Sequence, residues 1–150
     1  MKKFKFTLQP LYNYKQTVEK LQKAELSKAQ QALRELQAEE QRLQQAYYDN
    51  ERSLERALIE NINVAVALSE HDAYFRYLRD ALKAIRARIV QAEEIVYQCQ
   101  QRLIITMKEL KTYVKLRDEQ FQRYRKEVQA EEDKEMGDLV SFKTISAEIG

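Results

Sequence analysis

The sequence predicts an all-α fold, a long antiparallel two-helix coiled-coil hairpin with short flexible termini, and three observations carry that prediction. The chain has 150 residues but only two glycines and one proline. With Gly137 and Gly150 near or at the end and Pro10 near the start, roughly 125 residues run without a helix breaker. Ala, Leu, Glu, Gln, Lys and Arg dominate, a bias that favours helix, and the apolar residues recur at spacings of three and four in two long runs. Between the runs, Asn61 to Asp72 (Asn-Ile-Asn-Val-Ala-Val-Ala-Leu-Ser-Glu-His-Asp) loses the beat and marks the turn. The expected divisions are a first helix over about 10–61, a tip over about 62–69, a second helix over about 70–136 and a mobile tail over 137–150.

Residues 1–9 alternate apolar and polar, with Phe4, Phe6 and Leu8 against Lys3, Lys5 and Thr7. Thr7 is a candidate N-cap and Pro10 fits a first helical turn, so an extended lead-in is expected, with a flexible tail as the alternative. The first helical seam then reads Leu11, Tyr14, Val18 and Leu21. A second set, Leu26, Ala29, Leu33, Leu36, Leu43, Tyr47, Leu54 and Ala57, follows in another phase, with Glu40 and Asn50 as polar exceptions. The change between Val18 and Leu26 predicts a local relaxation of left-handed supercoiling.

Ser69 and Asp72 resemble a capping box and predict the start of the second helix. Leu78, Leu82, Ile85, Ile89, Ala92, Val96, Cys99 and Leu103 share one register. Met107, Leu110, Val114, Phe121, Tyr124 and Val128 continue in a shifted one, a four-residue stutter. A fold near residue 66 pairs positions whose numbers total about 132, which sets the two irregular segments opposite each other and supports antiparallel over parallel pairing. Charge agrees: residues 1–28 hold seven lysines and two glutamates, whereas residues 129–150 hold six acids and two lysines. Gly137 is the candidate C′ residue of the second helix.

The net charge of +2 argues against a nucleic-acid partner, since phosphate recognition needs a concentrated basic excess. No apolar run has the length of a membrane span and the N-terminus does not read as a signal peptide, so a cytoplasmic protein without membrane insertion is expected. One cysteine, Cys99, fits a reducing compartment and a buried seam position. His71 stands alone at the tip and reads as a solvated polar residue. The pairs Glu39-Glu40, Glu93-Glu94 and Glu131-Glu132 diverge around a helix, so no catalytic residue, metal site or cofactor is expected. Aromatics are the informative class: nine tyrosines and five phenylalanines exceed what a two-helix seam uses. Tyr47, Tyr48, Tyr74, Phe75 and Tyr77 converge near the tip, beside Ile62, Val64, Val66 and Leu68. Consecutive positions cannot all face inward, which predicts an exposed aromatic binding patch, with closure of the hairpin as the competing role.

The stretch Phe4-Lys5-Phe6-Thr7-Leu8-Gln9-Pro10-Leu11, continuing to Tyr14-Lys15, resembles the N-terminal signature of the FliJ family, small coiled-coil proteins of bacterial flagellar type III export. Asp133-Lys134-Glu135-Met136-Gly137-Asp138-Leu139 is similar to the family's ending, although Gly137 stands where the first of two acids is usual. The resemblance implies a coiled coil similar to the γ shaft of rotary ATPases, with no enzymatic activity of its own. It implies binding of the flagellar export ATPase hexamer through the paired termini, here Phe4, Lys5, Phe6 and Leu8 beside Arg123, Tyr124, Arg125 and Lys126. It further implies binding of the cytoplasmic region of the export gate protein FlhA near the tip. The family's gate-contact pattern falls on Tyr74, Leu78 and Ala81, with Tyr48 and Gln41 on the first arm. Recruitment of export chaperones, and a cytoplasmic location peripheral to the inner face of the membrane at the flagellar base, belong to the same expectation. A general coiled-coil chaperone or substrate-escort protein is the alternative.

Overall fold

In the computed structural model, which describes residues 2–60 and 63–149, the chain is an all-α helical hairpin of two long helices. The first, α1, spans Gln9–Ile59 (51 residues), and the second, α2, spans Val64–Ile149 (86 residues). No strand occurs among the described residues. The lead-in is an extended segment that turns into α1 through Gln9 N–H donating to Phe6 O (3.1 Å) and Tyr12 N–H to Leu8 O (2.9 Å). Pro10 lies in the first turn, where its missing N–H has no intrahelical acceptor to lose.

Both ends of α2 differ from the sequence expectation. Asn63, rather than Ser69, starts the helix: its carbonyl accepts from Ala67 N–H (3.0 Å) and its Oδ1 faces Val66 N–H (3.5 Å). Ser69 lies inside the helix, and Asp72 pairs with Arg76 Nη2 (2.6 Å) one turn on. The expected tip is thereby reduced: Val64 to Ser69 are helical, whereas Asn61 and Ile62 lie outside the described residues. At the other end α2 runs through Gly137 to Ile149, so residues 137–149 are helix rather than a loose tail. A Cβ at Gly137 would meet nothing within 4 Å, and no left-handed backbone marks it as a cap.

Packing divides the chain into two units, Met1–Lys20 with Ile104–Gly150, and Leu21–Leu103. In the second unit Tyr47 meets Phe75, Glu40 meets Arg86 and Glu25 meets Arg102, so the two segments run antiparallel. In the first, Phe4 meets Phe121, Tyr12 meets Arg117 and Lys15 meets Glu109, again antiparallel. These partners' numbers total between 122 and 129, below the expected 132, because α2 begins earlier than the capping-box reading placed it.

The largest correction concerns register. Positions 8, 12, 15, 19, 22, 26, 29, 33, 36, 40, 43, 47, 50, 54 and 57 are all buried or half-buried, an unbroken seven-residue repeat. Positions 71, 75, 78, 82, 85, 89, 92, 96, 99, 103, 106, 110, 113, 117, 120 and 124 do the same in α2. The unbroken repeats replace the expected phase shifts, although Val18, Val114 and Val128 of the shifted sets are also half-buried beside them. Polar residues hold the seam where the apolar ones leave it: Lys15, Glu19 and Gln22 are half-buried while Leu11, Tyr14 and Leu21 are exposed, and Thr106, only 4 % exposed, takes the place expected of Met107. A constant 3.5-residue repeat keeps the buried line on one side of each helix, and a break in phase would turn that line away from its partner. Each polar exception outside that stretch has a partner across the seam. Glu40 pairs with Arg86 (3.5 Å), and Asn50 Nδ2 donates to the His71 carbonyl (3.1 Å).

The core of the second unit is Leu43, Leu78, Leu82 and Ile85, with Leu36, Ala46, Tyr47 and Ala81 packed on it. Leu78 is 1 % exposed, and its truncation to Ala should cost about 2–4 kcal/mol by lost burial and the cavity left behind. Leu21 and Gln22 give opposite expectations. Leu21 is 60 % exposed, so Leu21→Ala should change stability by less than about 0.5 kcal/mol in denaturant unfolding. Gln22 Oε1 is buried with no hydrogen-bond partner among the described residues, so Gln22→Leu should stabilise by about 1 kcal/mol. A large loss for Leu21→Ala would restore the shifted register.

A pH test addresses the polar seam. The hydrogen bond from Lys15 to Glu109 raises the Lys15 pKa above its usual 10.5, against the opposing effect of desolvation. A raised folded-state value stabilises in full below the unfolded pKa and is lost as pH climbs through the folded one. The stability gap between the wild type and Lys15→Gln should therefore be flat at neutral pH and close only above 10.5.

Candidate binding surfaces

In the unit formed by Leu21–Leu103, the end of α1 and the start of α2 gather five rings. Tyr47, half-buried on the seam, lies 4.8 Å from Phe75 and meets Tyr48 edge-on at 6.5 Å. Tyr74 and Tyr77 stack at 6.1 Å. Tyr47 and Phe75 thus close the seam, whereas Tyr48 (57 %) and Tyr74 (43 %) stay exposed, as consecutive helical positions require. A shallow groove of about 280 Å³ beside them is lined by Gln44, Tyr47, Tyr48, Arg79, Leu82 and Arg86. Below it Arg42 forks onto both carboxylate oxygens of Glu39, and the hydrogen bonds hold the Glu39 carboxyl below its usual pKa and Arg42 above its own.

The expected gate-contact residues separate into two groups. Gln41, Tyr48 and Tyr74 are exposed on this surface. Leu78 is buried and Ala81 is half-buried against the same core, so both support the surface from within. The spacing of four and seven from Tyr74 places Leu78 and Ala81 one and two turns on, where the seam register takes Leu78 inward. Among the tip aliphatics, Val64, Val66 and Leu68 are exposed while Ala67 is buried. Ile62 lies outside the described residues. Leu58 and Ile59 are exposed too and enlarge the apolar area, which sequence reasoning missed because they fall one and two positions beyond the last seam residue, Ala57.

His71 is not the solvated residue expected. It occupies a seam position, where Nδ1 donates to the Ala67 carbonyl (2.7 Å) and Nε2 faces Ser53 Oγ (3.3 Å). It fastens the start of α2 to α1. Cys99 is buried, and no group of three or more His, Cys, Asp or Glu able to hold a metal exists among the described residues. No helix among the described residues is long and apolar enough to cross a membrane.

The other unit carries a surface of different chemistry. Its lead-in is strapped onto α2: Tyr124 Oη donates to Lys2 O (2.7 Å), and Phe4 meets Phe121 edge-on at 5.2 Å and Tyr124 at 5.6 Å. Gln120 clasps Thr7 from both sides, accepting from its N–H (3.4 Å) and donating from Nε2 to its Oγ1 (3.1 Å). Thr7 therefore fixes the strap to α2 instead of capping α1. Within the strap Phe6 is buried and Phe4 and Leu8 are half-buried, while Lys5, Arg123, Arg125 and Lys126 are exposed. Strap and helix together line a concavity of about 900 Å³ that carries Lys2, Lys3, Lys5 and Arg123 on its walls and Phe4 and Tyr124 between them, with Glu127 and Glu131 at its edge. None of those four cations makes an ion pair among the described residues.

Two unlike surfaces, one aromatic and apolar and one cationic around an aromatic floor, are therefore built on the two helices. Neither the comparison with curated proteins nor that with solved structures returns a match. The family model described as the flagellar FliJ protein matches residues 4–148, from the first ring of the strap to the last turn of α2. With nearly its whole length matched, the chain belongs to the FliJ family.

Proposed function

We infer that this flagellar export-related protein is a non-catalytic coupling or shaft component of the type III export apparatus, joining the export ATPase ring to the export gate. The cationic strap surface, Lys5, Arg123, Arg125 and Lys126 around Phe4, Phe6, Leu8 and Tyr124, binds the ATPase hexamer. The aromatic surface, Gln41, Tyr48 and Tyr74 held in place by Leu78 and Ala81, binds the cytoplasmic region of FlhA. The observation that carries this reading is that strong binding chemistry stands exposed in two places of opposite character. Tyr48 and Tyr74 stand out from a close-packed base, so their ordering cost is already met, and exposed tyrosines on a rigid support are typical of binding hot spots.

The mechanism is binding linkage. A chain that binds the assembled ring more tightly than free subunits shifts the equilibrium toward assembly, and one that binds ring conformations unequally biases the ATP cycle. The cationic surface supplies encounter rate and orientation, the apolar one lifetime. The protein acts in the cytoplasm at the inner face of the membrane, and export chaperones use it as a meeting point. A second reading, substrate escort, draws on the exposed Leu58, Ile59, Val64, Val66 and Leu68, since an apolar area of this kind also suits unfolded clients.

Tyr48→Ala with Tyr74→Ala should weaken binding to the FlhA cytoplasmic fragment by about 30-fold or more, as hot-spot losses of about 2 kcal/mol do, while the melting temperature stays nearly unchanged. Calorimetric titration and thermal unfolding check the two halves. The same pair should leave stimulation of the export ATPase intact, whereas Lys5→Glu with Arg123→Glu should abolish that stimulation and spare the gate. A wild-type chain that neither raises ATPase turnover nor joins its oligomer would remove the coupling reading. Equal competition by generic unfolded proteins for the tyrosine surface would favour escort.

A further inference from the structure

We propose that the groove beside Tyr48 receives an acidic amphipathic helix of a partner protein, with Arg79 and Lys83 as the residues that select its carboxylates. The groove lies within the unit formed by Leu21–Leu103 and runs between the two helices. Its α1 wall carries Gln44 and Tyr48 and its α2 wall Arg79 and Arg86, with the buried Leu82 and half-buried Tyr47 between them.

Arg79, Lys83 and Arg86 follow at spacings of four and three, which sets them on one face of α2 at intervals of about 6 and about 4.5 Å along its axis. All three are exposed. Arg86 reaches Glu40 at 3.5 Å, so the seam partly answers its charge. Arg79 and Lys83 make neither an ion pair nor a hydrogen bond among the described residues. The facing wall does not balance them. Gln37, Gln41, Gln44 and Tyr48 share one face of α1 by the same spacing, and none of the four carries a charge. Asp80 precedes Lys83 on the outermost side of α2 and pairs with neither cation. The basic row is also short: Asp72, held by Arg76 at 2.6 Å, stands before it and Glu93 after it.

Charge and shape together identify the occupant. A groove between two helices admits a third helix lying along it, whose apolar face packs inward. An apolar side chain entering between Tyr48 and Leu82 meets a ring and a buried aliphatic surface. Carboxylates at spacings of three and four on that helix repeat the intervals of the basic row, and the Arg79 fork accepts one of them in two parallel hydrogen bonds. A nucleic-acid strand is disfavoured, because three cations bounded by acids do not make a track along a phosphate backbone. Tyr48 belongs to the surface inferred to bind FlhA. That the docked helix comes from FlhA rests on that reading, whereas its acidic character does not.

The test is calorimetric titration of the full chain with two probes. The first is a synthetic helical peptide with leucines on one face and glutamates flanking them, together with a twin in which every glutamate is lysine. The wild type should bind the acidic peptide and not the twin. R79E/K83E should weaken that binding by at least about tenfold, and R79Q/K83Q by less, with helical content and melting temperature retained because both residues are exposed. K5E/R123E should leave it unchanged, and the lysine twin should gain binding to R79E/K83E. Raising salt from about 0.1 to about 1 M, which cuts the screening length from roughly 10 to roughly 3 Å, should weaken the wild-type complex by a similar factor. A wild type that binds both peptides alike, or neither at about 1 mM, overturns the proposal. So does acidic-peptide binding that survives R79E/K83E, or polyuridylate that binds the same residues more tightly than the peptide. The second probe is the FlhA cytoplasmic fragment, which R79E/K83E should weaken and the acidic peptide displace. Peptide binding at the groove with no binding of the fragment removes the gate reading and leaves the proposal. Fragment binding by a chain whose groove rejects the acidic peptide removes the proposal and leaves the gate reading.

Discussion

The whole structure depends on one constraint: each helix has only the other to bury against, so the seven-residue register that keeps their apolar lines facing must not slip. A two-helix seam is one residue wide and has no second layer to absorb an error in phase. Holding the register means accepting Lys15, Glu19 and Gln22 on the seam and leaving Leu11, Tyr14 and Leu21 in water. Lys15 answers this by pairing with Glu109. Gln22 keeps a buried oxygen without a partner among the described residues, a local cost accepted for the benefit of the seam on both sides of it.

The same constraint separates support from function at the tyrosine surface. In a seam this narrow a residue faces either the other helix or water. Tyr47 and Phe75 go inward and fix the angle of the helices, which leaves Tyr48 and Tyr74 with no choice but to stand out. His71 and Asn50, both on the seam, tie α1 to the first turns of α2: Asn50 donates to the His71 carbonyl and His71 Nε2 faces Ser53 Oγ. Exposed rings on a fastened base lose little entropy on binding, which is why the polar clasp matters to the inferred function.

Much of this was legible in the sequence, and the failures share a cause. The seams from Leu26 to Ala57 and from Leu78 to Leu103 could be read directly, because apolar residues occupy almost every seam position. Through residues 11–22 and 104–121 the eye follows Leu11, Tyr14, Leu21, Met107 and Phe121, which are apolar but exposed. Hydrophobicity there points outward, and the packing of the two helices alone decides which residues are enclosed. Asn63 outcompeted Ser69 as the start of α2 because the next six residues, rich in Ala and Val, can be helical and bury Ala67 at once. The exposed Tyr48 and Tyr74 were predictable from adjacency alone. The inward position of Leu78 was equally visible from its register, but a family contact pattern written as spacing from Tyr74 does not distinguish a residue that touches a partner from one that holds the surface up.

Apolar residues outside the seam now have two different meanings. Leu11, Tyr14 and Leu21 are scattered among charged neighbours on a helix that is already paired, where single exposed apolar side chains are ordinary. Beyond Tyr124 the situation differs: charged residues take the seam positions from Glu127 to Asp138, and the exposed Met136, Leu139, Val140, Phe142, Ile145 and Ile149 lie around a stretch of helix with no packing partner among the described residues.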